Sequence, residues 1–364
     1  MINYILNSRP LLVFIIPFSI GCLSVVSFQP FNFTFINFII FPCLFLILSN
    51  INKRSKNTYR TKPYLINLFF VGYFFGIGFF LTGTYWISNS LKFDDTFKSL
   101  VPFTIIAIPI FLGLFYGLAS LISGKYLKND LNSIFLFSAT FSLLDYVRAK
   151  IFTGFPWNFW SYSWSWFIEV IQILNPIGLF AFNLLSITFF LIPSIIFFKN
   201  DTSRNLILIS FISLFFLNYL YGNYIINKND LNEQNLLDKK EFINIKIISP
   251  NFDLKYNLTE DEVLLRLKEL IKYSEIDKNK KTLFVWPEGS ISGKYFFEIE
   301  KYKKVISDNF FNNHKIILGS NTLNENGNKF FNSFLIVDHK LNKDFQYNKI
   351  KLVPFGEFLP NSLF

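Results

Sequence analysis

Long uninterrupted apolar runs are the feature that most limits how this chain can fold. The hydrocarbon core of a bilayer is about 30 Å thick and needs about 20 helical residues to cross it. A content of 51% hydrophobic residues, with 50 phenylalanines, is typical of a membrane protein rather than of one soluble domain. We predict seven membrane-spanning helices, near residues 10–28, 32–50, 64–90, 101–124, 132–149, 168–198 and 205–222.

Basic residues in the short loops predict the orientation of these helices. Lysine and arginine in short loops resist translocation, so basic loops stay on the cytoplasmic side. The loop INKRSKNTYRTKP after the second run is strongly basic, and the loops after the fourth and sixth runs are basic too. The amino terminus is then cytoplasmic, and an odd number of helices puts the rest of the chain on the outer side, which is periplasmic in a bacterium. This bias and scattered lysines explain the net charge of +10, and we expect no nucleic-acid partner.

A change of composition divides the chain into two domains. Residues 1–223 form the membrane domain, 224–241 a polar linker, and 242–364 a domain of alternating strand and helix patterns. In the last part, Thr259 and Glu262 form the capping box of an amphipathic helix. We predict an α/β domain with both faces of its sheet covered.

Three charged residues of the second domain are candidates for chemistry. Glu288 follows the predicted strand TLFVW, and ligands bind at the carboxyl ends of strands in open α/β sheets. Lys349 closes the predicted strand FQYNKIKLV, and its ammonium suits a developing oxyanion. Glu357 lies in the apolar stretch VPFGEFLP, where a buried carboxylate needs a donor such as Lys349. From these segments alone, three alternatives stay open. Glu288 could belong to a simple polar turn, Lys349 could be an ordinary surface lysine, and Glu357 could be an exposed turn glutamate.

Other catalytic patterns are missing from the sequence. GSISG has Ile291 where a serine nucleophile would stand. His314 and His339 lack metal-ligand spacing, and there is no phosphate-binding glycine loop. Cys22 and Cys43 lie inside apolar runs, which indicates small buried side chains. We therefore expect no metal and no cofactor.

One pair of ionisable residues lies within a predicted membrane helix. A proton-relay transporter needs such groups deep in its membrane helices, and Asp145 and Arg148 come closest to this. They lie near the end of their run, so we expect them to pair with each other or to reach the interface.

Three motifs together resemble the apolipoprotein N-acyltransferases, whose outer domain belongs to the nitrilase (carbon-nitrogen hydrolase) superfamily. The motifs are FVWPEGSI, KIKLVPFGEFLP and the loop TGFPWNFWSYSW, and FNSF resembles a strand of the nitrilase fold. The resemblance runs from the first apolar run to the last residue. It implies a polytopic α-helical membrane domain followed by an α/β nitrilase-like domain, an αββα sandwich.

The resemblance also implies a Glu-Lys-Cys triad. It makes Glu288 the general base, Lys349 the lysine and Glu357 an accessory glutamate. The implied enzyme of the bacterial inner membrane moves an acyl group from a phospholipid, through a cysteine thioester, to the amino-terminal diacylglyceryl-cysteine of an apolipoprotein. The cysteine of this family comes several dozen residues after the lysine, and the sequence ends at Phe364. We therefore expect a fragment that is incomplete at its C-terminal end, with a truncated, inactive relative as the alternative.

Two aromatic residues are candidates for substrate contacts. Trp157 and the adjacent Pro156 of the GFPW loop are expected to line an acyl groove where this loop meets the outer domain. An interfacial belt of aromatic residues explains them as well. Tyr256 lies near a position where the resemblance implies a tryptophan.

Two other functions fit the same sequence. A non-catalytic membrane protein could use a nitrilase-like domain to bind lipid or a protein partner. A membrane-tethered amidase could use the same triad on a small amide, although a simple anchor would not need 223 residues.

Overall fold

The chain divides into two compact units, Met1–Asn235 and Leu236–Phe364, which we call the helical unit and the sheet unit. The boundary falls inside the polar stretch 224–241. The computed structural model describes residues 8–57, 63–93, 95–151, 154–198, 202–237, 243–253, 255, 258–324 and 326–352.

The helical unit is built from apolar helices joined by short turns and 3-10 segments. Its α-helices are α1 (Ile16–Ser24), α2 (Asn37–Asn57), α3 (Pro63–Thr84), α4 (Val101–Gly124), α5 (Leu131–Arg148), α6 (Ile168–Ile171), α7 (Leu174–Phe190) and α8 (Thr202–Leu237). Asp130 caps α5, because its carboxylate accepts a hydrogen bond of 2.9 Å from the Ser133 N–H. Pro42 and Pro109 lie inside α2 and α4 without ending them.

Glycines let α3 and α4 approach closely. A Cβ on Gly76 would lie 2.8 Å from the Cα of Gly113, and one on Gly72 would lie 2.2 Å from the carbonyl oxygen of Tyr116. Small residues four positions apart are a common way for membrane helices to bring their backbones together. A larger side chain at either position would push the two helices apart.

Aromatic rings fill the core of the helical unit. Trp160 is fully buried, stacks on Phe79 with ring centroids 4.5 Å apart and meets Phe41 edge-on at 4.7 Å. Rings in these arrangements attract each other beyond the effect of the area they bury. The high phenylalanine content thus serves packing inside the unit.

Four segments of the described chain are long and apolar enough to cross a membrane. They are Thr34–Arg54, Tyr64–Lys92, Phe97–Gly124 and Arg204–Gln234, and two shorter apolar helices cover Leu11–Ser27 and Leu174–Phe190. Helix α5 is a further apolar helix, and every run that we predicted as membrane-spanning therefore contains a helix. The chain has the helices of a membrane protein, and the number of crossings stays a prediction.

Helix α8 extends farther than predicted. It continues to Leu237, so most of the stretch that we predicted as a linker is helical. An existing helix gains one hydrogen bond for each residue it adds, so a polar segment can continue it without apolar contacts. The remaining linker residues, 238–241, lie outside the described residues.

The sheet unit contains one mixed sheet with the strand order β1-β2-β3-β4-β5. The first three strands are parallel, and β3, β4 and β5 are antiparallel neighbours. The strands are β1 (Asn244–Ile247), β2 (Thr282–Val285), β3 (His314–Leu323), β4 (Phe330–Asp338) and β5 (Lys343–Asn348).

The predicted amphipathic helix is confirmed as α9 (Glu260–Ser274). The Glu262 N–H donates to the Thr259 hydroxyl at 3.3 Å, and the Thr259 N–H donates to the Glu262 carboxylate at 2.9 Å. This reciprocal pair is the predicted capping box. Leu267 and Leu270 on one side of α9 are buried in a core with Phe284 of β2.

Helices cover only one face of the sheet in the described part of the chain. The second face, which we call the open face, carries Ile247 (79% exposed) and Phe345 (52% exposed). The prediction of two covered faces rests on the alternation of strand and helix patterns along this part of the chain. No described element packs on the open face, so that prediction is not met within the described residues.

Candidate active site

Glu288 lies in a tight turn directly after β2. The Trp286 N–H donates to the Ile317 carbonyl at 2.9 Å, and the Ser290 N–H donates to the Pro287 carbonyl at 3.3 Å. Gly289 has a φ of 72°, which the third position of such a turn requires. Glu288 occupies the second position and is exposed. The Pro-Glu-Gly-Ser sequence therefore holds a carboxylate at the carboxyl end of a strand.

Gly319 of β3 is a neighbour of Glu288 and shows which face of the sheet Glu288 lies on. A Cβ on Gly319 would lie 3.8 Å from the Cα and 3.9 Å from the Cγ of Glu288. Gly319 pairs with Phe334, and Phe334 pairs with Tyr347. Paired residues share a face of the sheet, so Glu288 lies on the same face as Tyr347, which is the open face.

Lys349 follows β5 and lies on this face too. Its N–H donates to the Asn332 carbonyl at 2.8 Å, which continues the ladder after Asn348 pairs with Ser333. Strand residues alternate between faces, so Lys349 shares the face of Tyr347, two positions earlier. By ordinary strand spacing and rise, its backbone is about 12 Å from Gly319 along the sheet. Lys349 is partly buried.

A carboxylate and an ammonium on one face suit acyl chemistry. A carboxylate can take a proton from a nucleophile, while an ammonium on the same face can stabilise the negative charge that develops on a carbonyl oxygen. Glu357 and Tyr256, the other two predicted site residues of the sheet unit, lie outside the described residues.

Trp157, the predicted substrate contact of the helical unit, is 52% exposed. Its ring meets the ring of Trp86 edge-on with centroids 5.4 Å apart. Trp86 is 43% exposed, and its indole N–H donates to the Gly83 carbonyl at 3.0 Å. Trp86 lies in the 3-10 segment Tyr85–Phe93 after α3, and no local sequence pattern indicated it as a partner of Trp157.

Side chains fix three successive carbonyls of the loop that carries Trp157. Arg148 donates to the carbonyls of Phe155 at 2.9 Å and Trp157 at 2.7 Å. The Tyr162 hydroxyl donates to the carbonyl of Pro156 at 3.1 Å. The loop is thus held from inside the helical unit, and the Trp157 ring stays at the surface.

The predicted pairing of Asp145 and Arg148 is confirmed. Their side chains are fully buried, with the guanidinium 2.9 Å from the carboxylate. The carboxylate also accepts from Asn183 at 3.0 Å and from the Tyr116 hydroxyl at 3.3 Å. These partners compensate the charges in an apolar environment. The sequence indicated the pair but not its reach into the loop.

No group of three or more His, Cys, Asp or Glu side chains in the described part of the chain could hold a metal ion. Cys22 and Cys43 are free thiols and partly buried. His314 is buried, and its ring contacts the Phe311 N–H and the Asp277 carbonyl, so it serves the core.

Comparisons with known proteins agree with the motifs. Residues 20–191 match the sequence family described as the apolipoprotein N-acyltransferase N-terminal domain. The chain is 26% identical over 350 residues to the apolipoprotein N-acyltransferase of Brucella melitensis biotype 1, a match that covers 93% of this chain and 64% of the relative.

Two further relatives carry the same name. The one from Rhizobium leguminosarum bv. trifolii is 27% identical, and the match covers 93% of this chain and 64% of the relative. The one from Rickettsia typhi is 28% identical, and the match covers 95% of this chain and 66% of the relative. The chain therefore spans 64% to 66% of the length of these relatives. The resemblance that the motifs indicated is confirmed.

Proposed function

We propose, from the premise that this chain is similar to apolipoprotein N-acyltransferases over 93% of its length, that it acts in the N-acylation of lipoproteins. The acyl donor is a phospholipid and the acceptor is the α-amine of a diacylglyceryl-cysteine. The main support is that the similarity spans both units while Glu288 and Lys349 lie on one face of the sheet.

The chemistry runs in two half-reactions. The Glu288 carboxylate takes the proton of a cysteine thiol, and the thiolate attacks the acyl ester carbonyl of the phospholipid. A C–S bond forms, the C–O bond breaks, and the lysophospholipid oxygen leaves with the proton from Glu288. The α-amine of the acceptor then attacks the thioester carbonyl, a C–N bond forms and the C–S bond breaks, and Glu288 passes the proton of the amine to the leaving thiolate, which regenerates the thiol.

Lys349 stabilises the oxyanion of both tetrahedral intermediates in this proposal. An ammonium aimed at developing charge in a water-poor site typically contributes a factor of about 10²–10³. In this proposal Glu357 serves as an accessory glutamate. The nucleophile is a cysteine other than Cys22 and Cys43, which are the two cysteines of this sequence.

The helical unit presents substrates that carry acyl chains. We propose that it is a multi-pass domain of the bacterial inner membrane, with the sheet unit on the periplasmic side, as the basic loops predict. Trp157 and Tyr256 contact substrate in this proposal. The exposed ring of Trp157 and its fixed loop support that role.

Transfer from a labelled phospholipid tests the proposed function. The protein is expressed from its complete gene, reconstituted in vesicles and given a diacylglyceryl-cysteine peptide with either a free or an acetylated α-amine. We expect label on the free-amine peptide only. Binding of phospholipid without transfer would favour a non-catalytic lipid-binding protein, and hydrolysis of small amides without transfer would favour a tethered amidase.

A further inference from the structure

Burial does not determine the register of β5. Five of its six residues, Lys343 to Tyr347, are exposed, and Asn348 is partly buried. A strand is held in register by burial only where one of its faces is covered. β5 is also the last strand of the sheet in the described part of the chain, with a register irregularity at Ile336 and Val337. The hydrogen-bonded turn 338–342 holds only the first pair of β5, because the irregularity follows that pair, so another interaction must select the alignment of the rest of the strand with β4.

A closed ring of four side-chain hydrogen bonds crosses β3, β4 and β5. The Gln346 amide donates to the Thr322 hydroxyl at 3.1 Å and to the Asn348 amide oxygen at 2.9 Å. The Ser333 hydroxyl donates to the same Asn348 oxygen at 2.8 Å. Its proton is thereby used, so Thr322 is the donor in the 2.6 Å contact between the Thr322 and Ser333 hydroxyls. Each of the three donor groups then has an acceptor within the ring.

The ring lies on the helix-covered face, opposite to Lys349. Thr322 and Ser333 are buried, and both belong to strands held by other pairings. Gln346 and Asn348 belong to β5 and reach back to them. A slip of β5 by one residue would turn Gln346 and Asn348 to the open face and break the ring. The same slip would turn Lys349 away from the face of Glu288.

We propose that the ring of Thr322, Ser333, Gln346 and Asn348 positions Lys349 by selecting the register of β5. The four are positioning residues, since they act through the strand. The effect of the ring on acyl transfer depends on the proposed role of Lys349. The selection of register by the ring does not depend on that role.

Disulfide trapping measures the register directly. Phe334 and Tyr347 face each other across β4 and β5, so cysteines at both positions in a chain with Cys22→Ala and Cys43→Ala lie within bonding distance in this register only. The readout is the initial rate of disulfide formation in the full chain, quantified by peptide mass. Cysteines at Ile317 and Ile336, which face each other across β3 and β4, report whether the rest of the sheet is intact.

Four variants on this background decide the proposal. Ser333→Ala and Asn348→Leu should slow the 334–347 bond about tenfold, because each removes a group that makes two hydrogen bonds. Asn348→Asp keeps the oxygen acceptor and should restore the parent rate. Ser320→Ala, on the same face but outside the ring, should leave it unchanged. The 317–336 bond should form normally in all four.

Two results would overturn the proposal. One is an unchanged 334–347 rate in both Ser333→Ala and Asn348→Leu. The other is an equal slowing of the 317–336 bond in both, which would mean a general loss of the sheet. Asn348 lies on the outer strand and Ser333 in the core, so the two variants do not share one folding defect.

Kinetics then connects the register to function. In the protein from its complete gene, Asn348→Leu should lower kcat for acyl transfer about tenfold with KM for phospholipid unchanged, and Asn348→Asp should retain kcat. A parent protein without transfer would contradict the proposed function, but the trapping result would still decide the register. Loss of register with full kcat would contradict the positioning of Lys349.

Discussion

At the scale of single residues, Gly319 of β3 lies beside Glu288. A methyl group on Gly319 would make an ordinary van der Waals contact with Glu288, 3.8 Å from its Cα. We expect Gly319→Ala to keep activity and Gly319→Val to lose about tenfold in acyl transfer, since a branched side chain displaces a positioned group. Valine suits a strand, so the melting temperature should change little. Full activity of Gly319→Val would contradict the placement of Glu288.

Arg148 carries a second prediction at this scale. Its guanidinium is buried, paired with Asp145 and bonded to two loop carbonyls. Arg148→Met should lower the free energy of unfolding by about 3–5 kcal/mol, because it leaves a buried carboxylate uncompensated. Unfolding in mixed micelles measures it, with the exposed Lys92→Ala as the control, and adding Asp145→Leu should recover part of the loss. Equal stability of Arg148→Met and Lys92→Ala would exclude the role of the pair.

Some of these residues could be predicted from the sequence, but their contacts could not. Asp145 and Arg148 are expected to pair or to reach the interface, because isolated charges are costly in an apolar helix. Gly319 was not singled out, since a glycine inside a strand has several uses, and only the fold brings it beside Glu288. The pairing of Trp86 with Trp157 likewise depends on packing between segments about 70 positions apart.

At the scale of elements, the capping box of α9 predicts an acid-dependent stability. The Lys255 ammonium and the Thr259 N–H hold the pKa of Glu262 down to about 2, compared with an ordinary 4.5. A lowered pKa in the fold gives stability that is fully present above pH 4.5 and is lost as the pH falls through about 2. Glu262→Gln can still cap the helix but cannot titrate. The melting temperature of the sheet unit should therefore fall less steeply with acid in this variant.

A second variant tests the cause of that lowered pKa. Lys255→Ala removes the largest contribution and should bring the loss of stability to higher pH within the same window. The same slope in the parent, Glu262→Gln and Lys255→Ala would show that the carboxylate of Glu262 has no share in the acid response.

Elements with a strong local pattern were predicted well, and those without one were not. Helix α9 combines an apolar stripe with a capping box, and β3 alternates buried and partly buried residues along its whole length. Strand β5 was predicted to include Lys349 and residues up to Val353, but it ends at Asn348. Its apolar residues are exposed, so hydrophobicity indicated the strand without indicating its end.

At the scale of the whole molecule, the change of composition near residue 223 predicts two domains. It could not indicate that α8 continues to Leu237, because a polar helix and a polar linker have similar compositions. Nor could it indicate which face of the sheet is covered, since apolar residues such as Ile247 and Phe345 lie on the open face. The elements that cover a sheet can come from distant parts of the chain, so the local pattern of a strand does not show which of its faces is covered.

The covalent acyl intermediate tests the central claim most directly, namely that Glu288 and Lys349 act together on an acyl ester. Protein from the complete gene is incubated with phospholipid alone, and its intact mass is measured. We expect an added acyl mass in the parent and in the controls Glu300→Gln and Lys272→Ala, and a rate about 10²–10⁴ lower in Glu288→Gln and Lys349→Ala. Acylation of Glu288→Gln or Lys349→Ala at the parent rate would contradict the account.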